Sequence, residues 1–327
     1  MKVAILTEGL VNTGYGHITR CLSIYQAFDE QGIKPEFIIN LDESGKKFLE
    51  GITINIFDWC VEKHKLMNLI NDMDIVIIDS YKAPLDIYAQ ISDKVRTAVY
   101  LDDYLRINYP KGVIVNGTID AESIQYRRER NYAYLLGTNY IPLRKEFWDI
   151  KKKNSKEKIK NILITIGGSD IKGITFLILD EMLKEFPNIN YHVVLNNNHI
   201  GKSDYDNYRV KFYYTLSAQQ MLILMLNCDF AISSAGQTSY ELNRACLPCV
   251  LIGVIENQKY NLMGWKKLGY ITEELWEEDE NLGEKITNEI NNYNGSTNQK
   301  NILNKFIVDG QGARRVVKFL TKMQSNG

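Results

Sequence analysis

Val3-Ala4-Ile5-Leu6, followed by Gly14-Tyr15-Gly16-His17-Ile18-Thr19-Arg20-Cys21, is the stretch from which the rest of the chain can be read. Its apolar run predicts a first strand buried on both faces. Ile18, Cys21, Leu22, Tyr25 and Phe28 then recur at the i, i+3, i+4, i+7 spacing of an amphipathic helix. The glycines therefore fall in a strand-to-helix loop, with His17 at or just inside the first helical turn. A helix start carries free N–H groups and partial positive charge, a setting for neutral imidazole rather than imidazolium. Neutral imidazole can act as a general base. The plain alternative is a histidine that packs against the helix or caps it.

Outward from this stretch, residues 34–40 and 52–57 read as a second and a third strand. Met73-Asp74-Ile75-Val76-Ile77-Ile78-Asp79 and residues 95–101 read as two more, the latter running into Asp102-Asp103-Tyr104. Helical segments between such runs make βαβ units and a parallel sheet. Ligands of these sheets bind beyond the carboxyl ends of the strands. That rule puts Glu8, Asn12, Asp79, Tyr81, Asp102 and Asp103 on one rim with His17. Acids at strand ends also serve as helix caps and turn residues.

Residues 147–160 turn lysine-rich and polar, which predicts a linker and two domains, 1–150 and 151–327, with room for the last helix to return to the first. Ile162-Leu163-Ile164-Thr165-Ile166 begins the second α/β unit and runs into Gly167-Gly168-Ser169-Asp170. A helix is expected over 171–186 and strands over 191–195, 210–213 and 229–233. Ser234-Ala235-Gly236-Gln237-Thr238 then joins a strand to a helix. Small residues there let a ligand approach the backbone, and the helix start offers N–H groups suited to phosphate. Glu241, about one turn inside, can accept hydrogen bonds from a ribose diol. An ordinary turn with Ser/Thr caps is the alternative. Gly168 and Ser169 form a second such turn on the same rim. Glu256-Asn257-Gln258 opens another helix, with groups that suit either sugar hydroxyls or capping. The expected fold is α/β: two Rossmann-like domains facing across a cleft.

The chain has 327 residues, 45% of them hydrophobic, and a net charge of −1. This charge makes no case for nucleic acid or an anionic membrane. Its five cysteines include the spacing Cys246-x-x-Cys249 but no second such pair to complete a zinc site, so reduced, mostly buried thiols of a cytoplasmic protein are expected. The first residues turn acidic too early for a signal peptide, and the apolar runs are far shorter than the ~18 residues of a membrane helix. Asp72-Met73-Asp74 has the DxD spacing of metal-using transferases but precedes its strand, at the end away from the expected rim, so turn chemistry is expected. No cluster has metal-ligand spacing, and neither metal nor cofactor is expected.

Together these motifs resemble the nucleotide-sugar hydrolases of pseudaminic acid biosynthesis and the spore-coat polysaccharide biosynthesis protein G group, within the GT-B superfamily. The matching residues are Gly14-x-Gly16-His17-x-x-Arg20-Cys21, Asp102-Asp103, and Leu136-Gly137-x-x-Tyr140-x-x-Leu143-Arg144-x-Glu146-Phe147. They continue with Gly167-Gly168-Ser169-Asp170, Ser234-Ala235-Gly236-x-Thr238-x-Tyr240-Glu241, Glu256-Asn257-Gln258 and Asp309-Gly310-x-Gly312-Ala313-x-Arg315. The resemblance implies a metal-independent, inverting UDP-sugar hydrolase that releases UDP and a free 2,4-diacetamido sugar. It implies His17 as catalytic base, Glu241 on the ribose and Ser234 to Thr238 near the diphosphate. Substrate contacts are expected from Gly14, Tyr15, Gly16, Arg20, Asp79, Tyr81, Asp102, Asp103, Gly168, Ser169, Ser234, Ala235, Gly236, Gln237, Thr238, Glu241, Glu256, Asn257 and Gln258. Lys82-Ala83-Pro84 and Tyr104 depart from the family pattern, both on the expected sugar side. A glycosyltransferase of the same fold and a non-catalytic nucleotide-sugar-binding protein are the other readings.

Overall fold

The structure, a computed structural model, describes residues 1–10, 16–49, 51–151, 158–167, 170, 173–195, 208–214, 216–295 and 307–325. It divides into two units, Met1–Lys145 with Gly310–Gly327, and Glu146–Asp309.

In the first unit the apolar runs become β1 (Val3–Gly9), β2 (Glu36–Leu41), β3 (Ile54–Ile56), β4 (Ile75–Asp79) and β5 (Thr97–Leu101). Two further strands, β6 (Gly112–Asn116) and β7 (Tyr132–Leu136), have no counterpart among the expected ones. β6 has a core of only Val113-Ile114-Val115, and β7 mixes tyrosine with aliphatic residues, so neither makes a strong local pattern. Sheet pairing selects them instead: β5 pairs with β6 and β6 with β7, both parallel. Helices α1 (Gly16–Asp29), α2 (Lys63–Leu69) and α3 (Leu85–Lys94) make the crossovers. The sheet order is β3-β2-β1-β4-β5-β6-β7. Connections wind outward in opposite directions from the β1/β4 pair, and such a switch point opens a crevice beyond the strand ends. Ile5, Leu6 and Ile75 to Ile78 are fully buried around it.

The second unit repeats this winding with β8 (Asn161–Thr165), β9 (Asn190–Leu195), β10 (Val210–Tyr214), β11 (Phe230–Ser234), β12 (Cys249–Gly253) and β13 (Leu275–Trp276). Their order is β10-β9-β8-β11-β12-β13, so the switch point lies between β8 and β11. Helices α4 (Ile174–Glu185), α5 (Ala218–Asn227), α6 (Gln237–Arg244), α7 (Lys259–Lys267) and α8 (Leu282–Gly295) accompany them. The last turn of α6 fixes both stretches by which the chain enters and leaves the unit. Arg244 donates to the carbonyls of Phe147, Trp148 and Ile150, each at 2.9 Å. Asn243 Oδ1 accepts the N–H groups of Ile307 and Val308 at 3.1 and 3.0 Å. The final helix, α9 (Gly312–Ser325), belongs to the first unit and packs on α1.

Candidate active site

Asp79 ends β4 with its side chain fully buried, beneath the first turns of α1. His17 and Arg20 are three residues apart on that helix, which puts them on one face, and both reach this carboxylate. His17 Nδ1 lies 2.6 Å from Asp79 Oδ1. Arg20 donates to Oδ1 through Nη2 at 2.7 Å and to Oδ2 through Nε. Its Nη1 donates to Asp103 Oδ1 at 2.6 Å, and the Tyr81 hydroxyl donates to Asp103 Oδ2. The Tyr81 ring stands edge-on to the His17 ring, 4.3 Å between centroids. The β1/β4 switch point thus gathers His17, Arg20, Asp79, Tyr81 and Asp103 into one network.

Its electrostatics follow from burial. Desolvation pushes the Asp79 carboxyl up, but the Arg20 guanidinium and then His17 outweigh it, holding Asp79 well below the usual carboxylate range. Burial likewise pulls the Arg20 value down, and the charges of Asp103 and Asp79 more than reverse that. The Tyr81 hydroxyl is pushed up by burial and then by Asp103, so it stays a protonated donor. An ionised Asp79 can only accept, so the short contact puts a His17 proton on Nδ1, and in the neutral imidazole the lone pair is then on Nε2. Arg20 Nη2 also lies 3.4 Å from Nδ1. Two donors then face one another at that longer distance, and the 2.6 Å contact decides the tautomer.

The other rim acids serve the protein's own turns. Glu8 is buried and accepts the Tyr81 and Lys82 N–H groups at 2.8 and 3.3 Å. Asp102, from which a ligand contact was expected, is engaged with the turn after β5 in this structure. Its oxygens accept Leu105 N–H at 2.7 Å, Arg106 N–H at 3.2 Å, the Tyr109 hydroxyl at 2.8 Å and the Tyr126 hydroxyl. Four donors fill a carboxylate. Gly16 begins α1 with open space where a Cβ would stand. Asn12, Gly14 and Tyr15 lie outside the described residues.

In the second unit, strand ends and turns converge on Gly236, the residue preceding α6. A Cβ there would stand 3.4 Å from Gln258 Nε2 and 4.0 Å from Ser234 Oγ. Gly167 follows β8 with φ +86°, and a Cβ on it would lie 3.5 Å from Ser234 Oγ. Asn261 of α7 braces this turn, donating to the Ala235 carbonyl at 2.8 Å and accepting the Tyr240 hydroxyl at 2.6 Å. Ser239 Oγ donates to the Gly236 carbonyl at 2.7 Å. Gln258 Oε1 accepts Val254 N–H at 3.0 Å, leaving its amide nitrogen on the Gly236 side. Gln237 and Thr238 are half-buried in the first turn of α6, and Glu241 is buried one turn further in. Residues 256–258 form a 3-10 turn before α7, with Glu256 exposed and Asn257 half-buried. Gly168 and Ser169 lie outside the described residues. This is a braced backbone turn at a helix start, an arrangement that holds anions.

Asp74 Oδ2 accepts the Lys2 backbone N–H at 2.7 Å, at the start of β4 and away from the strand-end rim. Among the described residues, no group of three or more His, Cys, Asp or Glu side chains could hold a metal ion, and no helix is long and apolar enough to cross a membrane. All five cysteines are free, and Cys60 is half-buried. Arg106 and Asn261, which brace the two candidate turns, went unread in the sequence. They stand in no motif, and nothing local to them signals a role.

No model of a known protein family matches the chain. It is 26% identical over 272 residues to the pseudaminic acid cytidylyltransferase and UDP-2,4-diacetamido-2,4,6-trideoxy-beta-L-altropyranose hydrolase of Helicobacter pylori, covering 82% of this chain and 47% of that one. It is 26% identical over 192 residues to the UDP-2,4-diacetamido-2,4,6-trideoxy-beta-L-altropyranose hydrolase of Campylobacter jejuni, covering 56% of this chain and 66% of that one. Over 274 residues it is 23% identical to the spore coat polysaccharide biosynthesis protein SpsG of Bacillus subtilis, covering 79% of each. The chain therefore spans about half the length of the Helicobacter relative. Among solved structures it resembles the spinosyn rhamnosyltransferase SpnG complexed with thymidine diphosphate, with a TM-score of 0.67 at 11% identity, over 98% of this chain and 100% of that one. It also resembles MurG of Acinetobacter baumannii, with a TM-score of 0.66 at 12% identity, over 98% and 99% of the two chains. The resemblance read from the motifs thus meets relatives that bear those names, and the fold is GT-B.

Proposed function

We propose that this chain hydrolyses a UDP-sugar at the anomeric carbon, releasing UDP and a free 2,4-diacetamido-trideoxy hexose for nonulosonic acid or surface polysaccharide synthesis. One observation carries the reading: His17 Nδ1 lies 2.6 Å from the buried, ionised Asp79 carboxylate at the switch point of the first unit, and a neutral imidazole so held keeps Nε2 as a proton acceptor. Nε2 takes a proton from water as the water oxygen bonds to C1. The bond from C1 to the phosphate oxygen breaks with inversion, and its electron pair leaves with UDP. Tyr81, Asp103 and Arg20 hold the sugar side. The Gly236 turn and the first N–H groups of α6 hold the diphosphate as its charge develops, and Glu241 takes the ribose hydroxyls. No step requires a metal. The names of the Helicobacter and Campylobacter relatives support hydrolysis of this substrate.

A second reading has an observation of its own. One protein of similar fold is a rhamnosyltransferase, and the same His17 could take the proton of an acceptor alcohol instead of water.

The test is turnover of UDP-2,4-diacetamido-2,4,6-trideoxy-altropyranose and a panel of other UDP-sugars in ¹⁸O-water containing EDTA. Label is expected on the C1 hydroxyl of the sugar, with unlabelled UDP. His17→Asn keeps similar bulk but no base and is expected to lose at least ~10²-fold in kcat. Label in UDP would mean attack at phosphorus, dependence on added Mg²⁺ would overturn metal independence, and turnover only with an added alcohol would establish the transferase.

A further inference from the structure

We infer that Arg106 is a positioning residue for Tyr81 and, through its ring, for His17. The inference rests on the proposed hydrolase chemistry only for its kinetic readout.

The argument starts from the turn Ser80-Tyr81-Lys82-Ala83 that follows β4. Its N–H groups are held from within and below. Ser80 Oγ accepts Lys82 and Ala83 N–H at 3.1 and 2.9 Å, and Glu8 accepts Tyr81 and Lys82 N–H. Its carbonyls are held by Arg106. Nη1 donates to the Tyr81 carbonyl at 3.4 Å, and Nη2 donates to the Ala83 carbonyl at 3.0 Å and the Tyr88 hydroxyl at 3.1 Å. Tyr88 in turn donates to the Ser80 carbonyl at 3.2 Å.

Arg106 is itself fixed from the far side. Asp102 accepts the N–H groups of Leu105 and Arg106, and is held by the hydroxyls of Tyr109 and Tyr126. Asn116 donates to Tyr126 at 2.8 Å. Leu105 adopts φ +61°, left-handed backbone that a leucine rarely takes. Such outliers persist where the surroundings over-determine them. Two turns, one after β4 and one after β5, are thus joined by the Arg106 side chain as well as by the Tyr81–Asp103 hydrogen bond.

The choice of arginine is informative. Among the described residues no carboxylate pairs with Arg106, and its Nε is buried without a partner. A half-buried cation that meets carbonyls, tyrosine hydroxyls and the Tyr88 ring gains no ion pair to offset its desolvation. It supplies geometry: a planar fork reaching two carbonyls and a hydroxyl at once, which an ammonium cannot match. Displacing the Tyr81 carbonyl moves the ring that stands 4.3 Å from His17 and the hydroxyl that holds Asp103.

Arg106→Met keeps the stem and removes the fork. It is expected to lower kcat ~10- to 100-fold, the scale for a small misplacement of a reacting group, while KM and UDP affinity stay within about threefold. Arg106→Lys should fall between. If Arg106 acts through Tyr81, then in a Tyr81→Ala background Arg106→Met should change kcat by less than about twofold. Independent, multiplying losses would overturn the inference, as would a loss confined to KM. The imidazole ¹⁵N spectrum of ligand-free protein gives a readout that needs no substrate. The His17 resonances should shift in Arg106→Met, and unchanged resonances would overturn the inference. If the native protein turns over no UDP-sugar, the hydrolase reading fails and this spectrum alone judges Arg106. If Arg106→Met does not fold, Arg106→Lys takes its place in both measurements.

Discussion

At neutral pH Asp79 carries its charge in a wholly buried place, because Arg20 grips both of its oxygens and His17 donates to one. Asp79→Asn removes the charge and offers an amide that can turn its nitrogen toward His17. Nδ1 would then accept and the proton would move to Nε2, the wrong tautomer for a base. A loss of ~10²- to 10⁴-fold in kcat is expected, the range for general-base catalysis, with UDP affinity by calorimetry nearly unchanged. The same group sets an acid limit on stability. Its folded-state value lies below its unfolded value, so as pH falls the unfolded chain takes the proton first. The stabilisation is whole above the ordinary carboxylate value of about 4 and is lost progressively below it. Thermal unfolding between pH 5 and 3 should therefore decline less steeply in Asp79→Asn than in the native protein.

Helix α1 presents His17 and Arg20, and α9, from the other end of the chain, seats it. Arg314 of α9 forks onto the Glu30 carboxylate just past α1, with both contacts at 2.8 Å. The start of α9 comes so close to the chain at Ile141 that a Cβ on Gly312 would lie 2.1 Å from the Ile141 carbonyl oxygen. Backbone cannot yield as a side-chain tip can. Gly117 presses on Ile141 as well, its Cβ position lying 2.4 Å from the Ile141 Cα. Gly312→Ala should thus lift α9, costing about 1–3 kcal/mol as overpacking does, read by denaturant unfolding. Turnover should drop more than UDP affinity, because the helix that loses its seat carries His17, the proposed base.

At the scale of the molecule, two units share the same winding, and the proposed function assigns the base to the first and the nucleotide turn to the second. A net charge of −1 offers no long-range attraction for a diphosphate, so the proposed function rests UDP affinity on local groups around Gly236 and Glu241. Glu241→Gln is expected to weaken UDP binding by about 1.5–3 kcal/mol, the scale of hydrogen bonds to a charged group, and to leave kcat at saturation close to native. Calorimetry with UDP and 2′-deoxy-UDP checks it. Deoxy-UDP should bind the native protein more weakly and the variant with little further loss, and equal UDP affinity in both proteins would remove Glu241 from the site.

By itself the sequence determined the two parallel α/β units, because strands buried on both faces must be continuously apolar and helices between them must carry a stripe. It also determined which strand ends hold polar groups, since the loops at Gly16, Asp79, Asp102 and Ser234 interrupt those runs. The partners were decided only by the tertiary structure. His17 meets a carboxylate 62 positions away, and that meeting depends on β4 lying beside β1. Asp102 and Asp103 look alike in sequence, yet one anchors a turn and the other faces Arg20 and Tyr81. The short β6 and β7 and the brace at Arg106 belong to the same class. Local pattern encodes which face of an element is buried. Which side chain meets which is set by strand order and register, and those arise from contacts distant in the chain.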